Sequence, residues 1–148
     1  MRTLFASLVL STCLASGAVA AELAPAANGY HKQKVVYHIN DAQVASMALR
    51  YVQNHIKALG AGNADIVVVT HGRGIDFLLD GWKGADGKSL DTVIHDLATQ
   101  GVRFNVCNNT LTGRNIDPDQ VNMNAEVVPS GVATLGELQL QGYVYIKP

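Results

Sequence analysis

The stretch Asp65-Ile66-Val67-Val68-Val69-Thr70 constrains this chain most. Its β-branched centre has no polar residue to turn toward water on either side. A strand of that kind belongs inside a sheet covered on both faces, the usual setting of parallel strands. Parallel neighbours cannot be joined by tight hairpins. They need crossovers long enough to hold a helix.

The rest of the chain supplies such crossovers. Residues 34–39 read as a first strand. Asn40-Asp41 then offers an N-cap for a helix over residues 42–59, where Val44, Ala48, Tyr51, Val52, His55 and Leu59 recur at helical spacing. Gly60 and Gly62 close it. After the central strand, residues 75–79 read as a short helical turn and residues 80–88 as a glycine-rich surface loop. Ser89 or Asp91 caps a helix through Thr99, with Val93, Ile94 and Leu97 inward.

Residues 102–106 form a third strand by their two-residue alternation. Asp117-Pro118 opens a short helix with proline at its first position. Residues 125–128 are a fourth strand, residues 132–141 a last helix and residues 143–146 a fifth strand. Strands and helices in alternation imply βαβ units. The expected fold is therefore one α/β domain over residues 34–148. It is a flavodoxin-like three-layer sandwich with a five-stranded, mostly parallel sheet. Residues 21–33, rich in Ala with Pro25 and Gly29, read as a flexible lead-in.

Residues 1–20 follow another pattern. Arg2 gives a positive start, residues 4–14 an apolar run, and Ala18-Val19-Ala20 a small-x-small site before Ala21. That is the layout of a secretory signal peptide. The run is too short for a bilayer span. Leu10-Ser11-Thr12-Cys13 loosely imitates a lipidation site, but Thr12 is bulkier than such sites carry. Cleavage after Ala20 and a periplasmic or secreted product are expected. Cys13 then leaves with the signal, and Cys107 becomes the sole cysteine of the mature chain, with no partner for an internal disulfide.

Several function classes lose their footing. The formal charge of −1, without a basic cluster, argues against nucleic acid or an acidic membrane surface as partner. One Trp and few aromatics make a poor base-stacking platform. His71-Gly72-Arg73-Gly74 is only a fragment of a phosphate loop. No His, Cys and acidic set has metal-ligand spacing, and no cofactor is expected. A hydrolase or nucleotide enzyme would rest on the fold alone, which assigns no chemistry.

A reactive thiol is the idea the residues support best. Cys107 lies where the third strand gives way to a polar loop, and in open α/β sheets ligands gather at that edge. Parallel strands end along one rim, so Asn40, His71, Arg73, Asn108, Asn109, Arg114 and Ser130 are expected to surround it as a ligand pocket. A thiol reacts as thiolate and needs a lowered pKa. His71 could hold the thiolate as an ion pair or move its proton, and Arg73 and Arg114 are candidate cations. The plain alternatives are a buried, inert cysteine and a histidine bonded to a loop carbonyl. His38, His55 and His95 fall on positions that read as structural.

Two segments carry a family resemblance: Val102 to Cys107 with Arg114 beyond it, and Pro129-Ser130-Gly131-Val132 through Leu135, Glu137-Leu138-Gln139, Gln141-Gly142-Tyr143. Together they resemble the DsrE/DsrF-like family of small sulfur-relay proteins, over residues 34–148. The resemblance implies a parallel five-stranded fold, homo-oligomers such as trimers or hexamers, and a cysteine at position 107 that carries sulfane sulfur as a persulfide to an acceptor protein. It also has limits. Relay carriers tend to be Ala-rich with Arg-Arg-Gly after the cysteine, where this chain has Asn108-Asn109-Thr110-Leu111-Thr112-Gly113-Arg114. They also work in the cytoplasm. The rival expectation is a non-catalytic oligomeric binding module, with Arg103 and Asn105 on a thinly covered sheet face.

Overall fold

The computed structural model describes residues 28–148. The expected signal peptide, Cys13 and most of the lead-in lie outside the described residues.

Five strands form one sheet: β1 (Gln33–Asp41), β2 (Ala64–Arg73), β3 (Arg103–Cys107), β4 (Ala125–Val128) and β5 (Val144–Ile146). Their order is β4-β3-β2-β1-β5, and every pairing is parallel. The helices are α1 (Ala45–Leu59), α2 (Asp91–Thr99), α3 (Asn108–Gly113) and α4 (Gly131–Leu140). Single 3-10 turns occupy Ala42–Val44, Asp76–Leu78 and Pro118–Gln120. The caps follow local chemistry. Asp41 accepts from the Gln43 amide, Asp117 from Asp119, and Ser130 from Ala133.

The strand order follows from two kinds of crossover. From β1 to β4 each connection steps one strand along. Then α4 carries the chain back across β3, β2 and β1, and β5 docks beyond β1. The two faces of the sheet therefore differ. On one, Val35, Tyr37, Ile39, Ile66, Val68, Phe104 and Val106 pack with Leu49 and Val52 of α1, Ile94 and Leu97 of α2, and Leu111 of α3. On the other, Val36, Val67 and Val69 meet Leu135 and Leu138 of α4, with Tyr143. Among the described residues one helix thus covers the second face. The residues of that face beyond the apolar patch, toward the carboxyl rim, are the polar ones: His38, His71 and Cys107.

The alternation of elements came out as expected. Ile66 to Thr70 is wholly buried, as the apolar run requires. Several local expectations change, among them the cap of α2, which is Leu90 rather than Ser89 or Asp91, and Tyr51, which is exposed. β2 does not stop at Thr70 but pairs on to Arg73, so His71 belongs to the strand. Cys107 opens no loop, because α3 follows it at once. Val93 is exposed while Ile94 and Leu97 point inward. The histidine at 55 is structural, held between the Tyr37 hydroxyl (2.9 Å) and Gln33 (2.8 Å).

Candidate functional site

Cys107 is the last residue of β3 and stands in the N-cap position of α3. A helix start leaves amides without intrahelical partners. Here the amides of Asn109 and Thr110, the Thr110 hydroxyl and the amide of Gly131 at the start of α4 lie close enough to the Cys107 sulfur to favour its thiolate. Burial pushes this thiol up, since only 4% of the residue is exposed. The four donors outweigh that and hold it below the usual cysteine value, because each bonds better to a thiolate than to a thiol. The Thr110 hydroxyl oxygen is itself fixed, accepting the Gly72 amide at 3.0 Å.

Gly131 is a glycine for a steric reason. A Cβ there would lie 3.0 Å from the Thr70 carbonyl oxygen and 3.2 Å from both Cys107 Cβ and His71 Cβ. The bare backbone lets the amino end of α4 come down onto the sulfur. Gly131→Ala should force α4 out by a few tenths of an ångström. Alkylation of Cys107 at neutral pH should then slow by up to about tenfold, since one hydrogen bond to the thiolate is weakened. The rate's pH profile should move up, with the fold retained by circular dichroism. An unmoved profile removes Gly131 from the account.

His71 stands beside Cys107. Thr70 pairs with Val106, so the next residues of β2 and β3 are neighbours on the same face. Its Nε2 meets Nε2 of His38 at 2.7 Å, and Nδ1 of His38 meets the Tyr145 hydroxyl at 2.6 Å. His38 is buried, and its imidazolium is disfavoured by burial first, then by His71 and by Lys147.

The other residues expected at the rim take varied places. Ser130 caps α4. Asn108 and Asn109 open α3, and it is the Asn109 backbone, not its carboxamide, that faces the sulfur. Arg114 binds Asp76 and the Gly72 carbonyl (3.2 Å), so its guanidinium braces the loop after β2. Arg73 is exposed at the end of β2, opposite Asp41. Asn40 is exposed at the end of β1, with its backbone packed against Gly74. Thr110, the Gly131 amide and Tyr145 leave no sign in the sequence, and His38 reads there as structural. The signal for His38 was present, because it shares the strand parity of Val36 in β1. Tyr145 could be found only from the strand order.

Among the described residues no group of three or more His, Cys, Asp or Glu is placed to hold a metal. No helix among them is long and apolar enough to cross a membrane.

A family profile described as the DsrE/DsrF-like family matches residues 16–148. No curated protein matched the chain. Among solved structures, one similar fold is MTH1491 of Methanobacterium thermoautotrophicum, titled a protein of unknown function. It is 29% identical with a TM-score of 0.68, over 78% of this chain and 99% of that one. Another is the ychN protein of E. coli, 18% identical with a TM-score of 0.66 over the same shares, a likeness of fold.

Proposed function

The chain belongs to the DsrE/DsrF-like family, and from that premise we propose that Cys107 is a sulfur-carrying thiol. The observation that supports this most is the set of donors converging on one buried sulfur from Gly131, Thr110 and Asn109, which keeps it ionisable in spite of its burial. An inert core cysteine has no use for them.

The chemistry is sulfane transfer. The Cys107 thiolate attacks the outer sulfur of a donor persulfide. A sulfur–sulfur bond forms to Cys107, the donor's own breaks, and the donor's inner sulfur departs and takes up a proton. An acceptor thiolate then attacks the terminal sulfur, and Cys107 leaves as the thiolate. Neither step needs an external oxidant or reductant. His71, beside the thiol, exchanges the protons. Mass spectrometry after polysulfide treatment should find one added sulfur, on the peptide holding Cys107. An unmodified peptide whose thiol still alkylates would sink the proposal.

On this reading residues 1–20 direct the domain out of the cytoplasm, and the acceptor is a thiol protein in the periplasm or outside. The exported protein should have the intact mass of a chain beginning at Ala21. A full-length mass would place the transfer in the cytoplasm instead.

A second reading, an assembly module, draws on exposed apolar residues: Val132 and Leu140 on α4, and Val144 on edge strand β5. The sheet face expected to serve it is covered at Asn105, which is buried, and open at Arg103, whose side chain is 53% exposed though bound to Asp65 and Tyr143. Carriage and assembly are compatible, and a homo-oligomer such as a trimer or hexamer accommodates both.

A further inference from the structure

Four neighbouring strands contribute polar residues that line up on the α4 face of the sheet. In sheet order they are Cys107 on β3, His71 on β2, His38 on β1 and Tyr145 on β5. The last two are unneeded for holding the thiolate, and the link between the two imidazoles is chemically specific. Two ring nitrogens 2.7 Å apart must share a single proton. Two N–H groups would collide there, and two lone pairs would repel. The same holds for the 2.6 Å contact between His38 and the Tyr145 hydroxyl.

We propose that Tyr145, His38 and His71 form a proton relay between the buried Cys107 thiol and solvent at the β5 edge. Two neutral arrangements satisfy every contact. In one, the Tyr145 hydroxyl donates to Nδ1 of His38, whose Nε2–H donates to Nε2 of His71, leaving His71 with a proton on Nδ1. In the other, Nε2–H of His71 donates to His38, Nδ1–H of His38 donates to the Tyr145 oxygen, and the hydroxyl proton faces water. Nδ1 of His71 is then a lone pair. The first arrangement gives a proton to a departing thiolate at the pocket. Each ring then passes its proton along, and Tyr145 recovers one from water. The second runs the same path in reverse and accepts the proton of an arriving thiol. Tyr145 is 41% exposed whereas Cys107 is 4% exposed, so the path joins a closed site to an open one. Burial first, and then His71 and Lys147 just past β5, disfavour the imidazolium of His38, in keeping with a two-way relay.

His38 and Tyr145 are thus positioning residues for the thiol chemistry read above. A leaving group that needs no proton should ignore them, and a basic one should not. The test compares reaction of Cys107 with methyl methanethiosulfonate, whose sulfinate leaves as a stable anion, and with 2-hydroxyethyl disulfide, whose alkyl thiolate needs a proton in a water-poor pocket. In His38→Phe and Tyr145→Phe the first rate should stay within about twofold of wild type. The second should fall by roughly tenfold or more, within the range of general-acid contributions. The basic-leaving-group rate should also lose part of its solvent isotope effect. Tyr145→Phe alters only an edge hydroxyl, so it decides the matter if His38→Phe folds poorly. Equal slowing with both reagents would mean a packing role, and unchanged rates would mean no role, and either overturns the relay. Neither reagent carries sulfane sulfur. A failed persulfide experiment with an intact leaving-group split would therefore overturn sulfur carriage and leave the relay standing.

Discussion

Replacing Cys107 with serine should reduce sulfur uptake from polysulfide to background while leaving the fold in place. The hydroxyl is close in size to the thiol, and the donors from Gly131, Thr110 and Asn109 can serve an oxygen as well. No cavity opens, so thermal stability should change little. The nucleophile is nonetheless gone, because a hydroxyl ionises far less readily than a thiol and is a poor nucleophile toward sulfane sulfur. The measurement is labelled-sulfur incorporation beside sedimentation of the same samples. Full loss of uptake with unchanged sedimentation means carriage and assembly are separate properties of one protein. Residual uptake near the wild-type level would mean sulfur is bound elsewhere and would undo the proposed function.

Gly74→Ala should be the most damaging single methyl in the described chain. A Cβ at Gly74 would fall 2.0 Å from the Ile39 carbonyl oxygen and 2.6 Å from Asn40 Cα. Both are backbone atoms of β1 at the rim, and neither can rotate away as a side-chain tip would. β1 and β2 must part where they converge, just below the site. The expected loss is on the order of 3 kcal/mol, at the upper end for overpacking. That corresponds to a thermal midpoint lower by about 10 °C or more for a domain of this size. Gly136→Ala is the matched control. Gly136 lies within α4 with nothing within 4 Å of an added Cβ. That substitution should leave stability the same or raise it by up to about 1 kcal/mol, through helix propensity. If both variants melt alike, the close approach of Gly74 to β1 is not real.

The damage at Gly74 reaches the site through geometry that no single segment contains. The loop after β2 is held by Arg114 from the end of α3, and the Gly72 amide is bound by Thr110. Local alternation showed Cys107 at the end of a strand. It could not show that α3 would begin at once, because Asn108 and Asn109 are poor helix residues. The guanidinium groups of Arg73 and Arg114 read as neighbours of the thiol because they are near it in sequence or at the same rim. A long side chain, though, goes where its counter-charge is, and for Arg114 that is Asp76.

The sequence by itself determined the class of fold, since an apolar strand without a polar side has to be covered twice, and it set the place of Cys107 at a strand's carboxyl end. Periodicity carries that information because burial acts residue by residue along each element. Only the tertiary structure decided what surrounds the sulfur. Returning α4 across the sheet brought the Gly131 amide onto Cys107 from a separate element, and adding β5 beside β1 brought Tyr145 to His38 across 107 residues of chain. Such contacts depend on strand order, which arises from how whole elements cover the two faces of the sheet and leaves no mark in the spacing of neighbouring residues.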